Sequence, residues 1–361
     1  MRPSRHVDDS RPQRFSTVGA MALSAMLACV GACLEDDGTV SASSDASATS
    51  EGSPAPTGIP REVLAEQEEL ARRMATLPDT EGSGPYPALK EIVPELPAHV
   101  IYRPRALPAV GAEKLGLYVF GNGGCSDDGA SSRLHLLEVA SHGYIAIAPG
   151  QILNGPGVAA PPPAPPPDPT AGALPPAPTE PGDLLAALDW ALAENQRPES
   201  PFFDRLDPAQ VAVSGYSCGG LQALAVAADP RIATLLIMNS GILPSEQPPL
   251  PGADVSKATL AQVRVPILYI LGGPDDIAYA NGMDDFARLG AVPAAVANID
   301  VGHGGTYWEP NGGEAAVVAV DWLSWILRGD DSARQRFVGD DCGLCTDPLW
   351  TYEQKNLESV P

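Results

Sequence analysis

Positive charge is scarce in this chain. Lysine and arginine together number 22 against 45 aspartates and glutamates, a formal charge of −23 over 361 residues. Phosphate neutralisation needs clustered cations, so the composition argues against nucleic-acid binding and equally against a polybasic membrane patch. The chain also lacks a comfortable membrane span. Its N-terminal apolar run, Val18 to Cys33, falls short of the ~20 residues that a spanning helix needs. No internal repeat is present. A second C-x-x-C or a histidine pair to complete a zinc shell around Cys342 and Cys345 is missing, which leaves no metal site to expect. Charged residues make up 19% and apolar residues 44%, enough for a sizeable core.

What the N-terminus does contain is informative. Arg2, Arg5, Arg11 and Arg14 precede the apolar run, the pattern of a secretory signal over 1–32. Val30-Gly31-Ala32-Cys33 fits the small-residue box before a lipidated cysteine, so Cys33 is the candidate lipid anchor, with simple signal cleavage as the alternative. Residues 33–60 read as a disordered linker rich in serine, alanine and threonine. The six cysteines are Cys29, Cys33, Cys125, Cys218, Cys342 and Cys345. Removal of Cys29 and lipidation of Cys33 leave an even number, as disulfides in an oxidising compartment require. The expected location is therefore the periplasm, an outer membrane or the extracellular space.

From residue 61 to 339 the pattern is that of one α/β domain. A helix is expected over Arg61–Met74, with Pro60 just before it. Buried strands are expected at His99–Tyr102, Gly116–Phe120, Tyr144–Ala148, Val211–Val213, Leu235–Met238, Ile267–Leu271 and Ala295–Val301. Helices are expected at Leu134–Ala140, Asp183–Glu194, Leu221–Ala228 and Ala315–Leu327. Apolar strands without alternation, separated by helices, imply a mostly parallel sheet covered on both faces. Residues 156–182 hold 12 prolines and can be neither helix nor central strand. Residues 340–361, with Cys342-Gly-Leu-Cys345, read as a C-terminal tail.

One constellation carries chemistry. Gly215-Tyr216-Ser217-Cys218-Gly219 lies between a strand and a helix, the context of a nucleophile elbow. A serine hydroxyl needs a base to take its proton. Elimination among the five histidines selects one. His6 lies in the signal, His99 in an upstream strand, and His135 and His142 within and at the end of a helix. His303, in Gly302-His303-Gly304-Gly305, sits on a late loop where such a fold places its base. The acid should lie between Ser217 and His303 after a strand, which offers Asp275 and Asp276. The spacing from Gly273 favours Asp276. A tetrahedral oxyanion would be held by the Cys218 N–H and by an amide of Gly121-Asn122-Gly123-Gly124, with Gly124 as the donor. A dinucleotide-binding reading of that loop fails, because its third glycine would fall at Ser126.

These motifs resemble the α/β-hydrolase superfamily over about Ala98 to Leu327. Within it, the chain is similar to the secreted branch of dienelactone hydrolases and chlorophyllase-like polyester hydrolases. The resemblance rests on Gly121–Gly124, Ser141-His142-Gly143-Tyr144, Gly215–Gly220, the 272–278 loop and Gly302–Tyr307. It implies a carboxylic ester hydrolase with a Ser217–His303–Asp276 triad, no metal and no organic cofactor. Its partner would be a small or polymeric ester, and its only membrane contact the lipid anchor. Tyr216, Tyr307 and Trp308 are near enough in sequence to line a pocket. In this fold the loops bearing Cys125 and Cys218 lie side by side, which implies a disulfide between them, with Cys342 and Cys345 forming their own. The competing readings are an inactive binding lipoprotein and a peptidase on the same triad.

Overall fold

Nine strands form one sheet in the computed structural model, which describes residues 76–108, 113–159 and 176–360. The signal, the linker with Cys33, the expected helix at 61–74 and residues 160–175 of the proline-rich segment lie outside the described residues.

The strands are β1 Ala88–Glu91, β2 His99–Pro104, β3 Leu115–Gly121, β4 Tyr144–Pro149, β5 Leu206–Tyr216, β6 Thr234–Met238, β7 Ile267–Leu271, β8 Ala294–Ile299 and β9 Trp350–Lys355. Their spatial order is β1-β2-β4-β3-β5-β6-β7-β8-β9. Strands β3 to β8 run parallel, while β2 pairs antiparallel with β4 and β9 antiparallel with β8. The helices that link them are α1 Arg133–Ser141, α2 Pro181–Gln196, α3 Cys218–Ala225, α4 Tyr279–Arg288 and α5 Gly313–Arg328. Two short helices follow, α6 Asp331–Arg334 and α7 Gly343–Thr346.

Alternate residues of each central strand feed two separate cores. Leu117, Val119, Val213, Ile237 and Tyr269 meet α2, α3 and α4 on one face. Tyr118, Phe120, Ala146, Met238 and Ile270 meet α1 and α5 on the other. A strand covered on both faces has no solvent side, which is why these segments are apolar without alternation. Each fully buried Leu or Ile contributes roughly 1.5–3 kcal/mol relative to exposure.

Three features differ from expectation. The proline-rich segment, expected to run to 182, gives way to α2 at Pro181, because proline in the first helical turn lacks only an N–H that the helix leaves unpaired. Helix α3 starts at Cys218, three residues before the expected Leu221, because the glycine-rich start masks its helical pattern. Residues 340–361 are more than a tail, since they carry β9, which closes one edge of the sheet. Cys342 and Cys345 bridge the start of α7. Tyr352 of β9 packs against Phe337, which packs in turn against Trp322 and Trp325 of α5, tying this segment to the core. No helix among the described residues is long and apolar enough to cross a membrane.

Candidate active site

The chain turns sharply between β5 and α3, and Ser217 is the corner. Its backbone sits at φ 53°, ψ −122°, a conformation that non-glycine residues adopt only under constraint. The constraint is the crowding around it. A Cβ on Gly215 would lie 2.1 Å from the Gly219 carbonyl oxygen, and one on Gly219 would lie 2.0 Å from that of Gly121. Only glycine permits three backbones to meet this closely. The corner is further pinned by hydrogen bonds from Ser217 N to Met238 O (2.9 Å) and from Ser240 Oγ to Ser217 O (2.7 Å).

The structure brings Ser217, His303 and Asp276 into one hydrogen-bonded chain. Ser217 Oγ lies 3.0 Å from His303 Nε2, and His303 Nδ1 lies 2.6 Å from Asp276 Oδ1. A carboxylate only accepts, so Nδ1 carries the proton and Nε2 is left to accept from the serine hydroxyl. All three residues are buried, with Ser217 the most accessible at 8%. Of the two candidate aspartates, Asp276 faces the imidazole and Asp275 is exposed.

Asp276 receives four donors. Oδ1 accepts from His303 and from Ala278 N (2.9 Å), and Oδ2 from Gly272 N (3.0 Å) and Asn239 Nδ2 (2.9 Å). Burial alone would raise this carboxyl. The hydrogen bond and charge of His303, with the Ala278 and Gly272 amides, outweigh it and hold the group below its ordinary range. Asp276 therefore stays ionised through neutral pH.

His303 is delivered by a loop whose carbonyls are held from beneath. Tyr216 OH donates to His303 O at 2.8 Å, and the Tyr216 ring lies 5.4 Å from the imidazole. Tyr216 and Tyr307 are both buried and pack on each other at a tilt, beneath the loop that carries His303. Trp308 is half-buried and donates to Gly304 O. The remaining described histidines bond elsewhere: His99 to Asp183 O, His135 to Tyr118 OH and His142 to Glu138.

Gly124 and Cys218 lie beside each other across a disulfide. Cys125 and Cys218 are bridged with a Cα separation of 5.2 Å. Cys218 is the first residue of α3, so its N–H has no acceptor within the helix. Gly124 adopts a left-handed backbone, φ 64°, with open space where a Cβ would point. Asn122 is turned inward, donating to Ser126 O and Pro149 O, and so braces this loop. Thr179, at the C-terminal end of the proline-rich segment, donates through N and Oγ1 to Cys125 O. No cluster of His, Cys, Asp and Glu suited to a metal occurs among the described residues.

Sequence reasoning missed Asn239, which contacts the acid from the end of β6. Its only signal was a lone asparagine directly after a buried strand. Comparison with protein-family models and with curated proteins finds no match for the chain.

Proposed function

We propose that the protein is a serine hydrolase of carboxylic esters and a member of the α/β-hydrolase superfamily. One observation carries this reading: a strained strand-to-helix serine, hydrogen-bonded to a histidine that is hydrogen-bonded to a buried, ionised aspartate. The mostly parallel sheet and the chain order Ser217, Asp276, His303 also support it.

The chemistry follows from the groups present. His303 Nε2 removes the hydroxyl proton as Ser217 Oγ attacks the ester carbonyl. Asp276 keeps the imidazole in the correct tautomer and stabilises the imidazolium. The Cys218 and Gly124 amides take up the oxyanion. His303 then protonates the leaving alkoxide, and the acyl group remains on Ser217. A water deprotonated by His303 attacks this acyl-enzyme, releasing the acid and restoring the serine. Neither step calls for a metal or an organic cofactor.

Two disulfides accord with an oxidising compartment. Export of the chain, with Cys33 as a lipid anchor, belongs to the same proposal. Palmitate labelling that disappears in Cys33→Ala would support the anchor, and wild type without label would refute it.

The decisive test is labelling by a fluorophosphonate probe, mapped by mass spectrometry, together with turnover of a panel of short-chain, aromatic and polymeric esters. Labelling confined to Ser217 and lost in Ser217→Ala is the expected result. A well-folded wild type that neither labels nor turns over any ester would leave the binding-protein reading instead.

A further inference from the structure

Asn239 is the first residue after β6 and one of the most buried polar residues, at 1% exposure. Its backbone is left-handed, φ 44°, a region that asparagine tolerates better than most side chains. Its own N–H donates to Ile270 O at 2.7 Å, which locks the corner to the end of β7. The side-chain amide is then engaged at both its ends. Nδ2 donates to Asp276 Oδ2 (2.9 Å) and to Gly302 O (3.2 Å), while Oδ1 accepts from Tyr307 OH (2.5 Å). The orientation of the amide follows from chemistry, because a carboxylate and a carbonyl can only accept.

We propose that Asn239 is the positioning residue of the site, aiming the Asp276 carboxylate and the His303 loop at Ser217. This rests on the serine-hydrolase reading. Of the four donors on Asp276, one is His303 itself and two, Gly272 N and Ala278 N, belong to the acid's own segment. Asn239 alone ties the carboxylate to a third strand. The same amide group holds the carbonyl immediately before His303. One side chain therefore fixes acid and base relative to each other, and Tyr307 fixes that side chain in turn. Without it, Oδ2 keeps only Gly272 N, and the carboxylate can tilt away from Nδ1. A wrongly held acid leaves the imidazole free to take the unproductive tautomer.

The test uses the kinetic pH profile of the full chain with a neutral ester. The titratable groups around this position are Asp276, His303 and Tyr307, with Tyr216 behind His303. Asn239→Asp puts a second carboxyl about one hydrogen bond from Asp276, and two such groups cannot both ionise cheaply. At low pH its proton can stand in for the amide donor. As pH rises that proton is lost and the two carboxylates repel. The expected kcat is within roughly tenfold of wild type near pH 6 and falls a further ~100-fold or more by pH 9, where wild type levels off. KM stays within about twofold throughout, since no substrate contact is altered. Asn239→Leu should lose roughly 100-fold in kcat at every pH, and Tyr307→Phe a smaller factor in the same direction. A merely structural residue would lower the amount of active protein without bending the profile. If Asn239→Leu does not fold, the other two variants carry the test. An Asn239→Asp profile parallel to wild type overturns the proposal. Its failure is separable from that of the underlying reading: wild type that labels on Ser217 while the variants match its profile refutes Asn239 alone, whereas wild type that never labels refutes both.

Discussion

Replacing both Cys125 and Cys218 by alanine removes the bridge but keeps the Cys218 backbone amide. The disulfide closes a loop with a sequence separation of 93. In the chain-entropy model, a loop of that length costs the unfolded chain about 15–16 cal/mol/K when it is closed, or about 4–5 kcal/mol at 25 °C. That is an upper figure, since the double variant can relieve some of it through residual structure in the unfolded state. For a chain of this size it corresponds to a fall in Tm of roughly 6 °C. The two alanines also lose the sulfur atoms, which are buried against Pro251 and Gly252 carbonyls. The bridge should matter for rate as well, because it sets the spacing of the two proposed oxyanion donors, each worth roughly 10²–10³ in kcat under that proposal. The expected loss is up to ~100-fold in kcat with little change in KM. Urea unfolding followed by far-UV circular dichroism measures the first effect, and steady-state hydrolysis of a soluble ester the second. An unfolding free energy within about 1 kcal/mol of wild type would refute the loop-closure argument. An unchanged kcat in the same variant would leave the bridge as a stabilising device with no part in holding the donors. Chemical reduction is a poorer experiment, since it also opens Cys342–Cys345.

Ser217→Ala should keep its circular dichroism spectrum and lose roughly 10⁴-fold or more in ester turnover; a loss below about tenfold would remove Ser217 from the mechanism. Asp276→Asn should cost about as much through the wrong histidine tautomer, whereas Asp275→Asn, at an exposed position, should stay within about twofold. Gly219→Ala places a methyl group 2.0 Å from the Gly121 carbonyl oxygen, so it should destabilise by about 2–3 kcal/mol in urea and distort the serine corner; wild-type stability would contradict the close approach. His135 is buried and pushed down to about 4, so the folded state refuses a proton that the unfolded chain accepts below its ordinary 6.5. Its contribution is lost as pH falls from about 6.5 to 4, and His135→Phe should gain about 3 kcal/mol on wild type across that window, a gap that stays constant if the reasoning fails.

How much of this could be read from the sequence depended on whether a residue's neighbours were close along the chain. Strand β4 was plain, because Tyr144–Pro149 is buried at every position and so is apolar at nearly every position. The serine corner was plain because its glycines sit within two residues of Ser217. Strand β9 was not, since Trp350–Lys355 is an edge strand with polar residues and its partner Ala294–Ile299 lies far upstream. Strand β1 is a short edge of the same kind. His303 was found only by exclusion, and Asp276 only by spacing. Whether Tyr216 and Tyr307 line a pocket or pack beneath the loop was open, because a sequence does not say which side of a loop an aromatic ring faces. Asn239 was marked only by being an asparagine after a buried strand, and its three side-chain partners come from the distant residues 276, 302 and 307.

The sheet order explains why a residue such as Asn239 is needed at all. The groups of the site come from the ends of β3, β5, β6, β7 and β8, which are consecutive neighbours in the sheet. In that order they are Gly124, then Ser217 with Cys218, then Asn239, Asp276 and His303. Three inter-strand gaps of ~4.8 Å place the end of β8 about 14 Å from the end of β5, farther than an imidazole can span. The His303 loop must therefore fold back across β7 and β6 to reach Ser217. It is held there by contacts from each strand it crosses. Gly302 N donates to Gly272 O (2.8 Å) at the end of β7, Asn239 Nδ2 holds Gly302 O at the end of β6, and Tyr216 OH holds His303 O at the end of β5. A Cβ on Gly272 would lie 1.9 Å from the Gly302 carbonyl oxygen, so the loop lies directly on the strand end and only glycine allows it. Asn239 occupies the one strand end between Ser217 and Asp276, and the proposed mechanism gives it no reacting group. From there its amide can hold the acid and the returning base together, with both bonds inside the same buried corner.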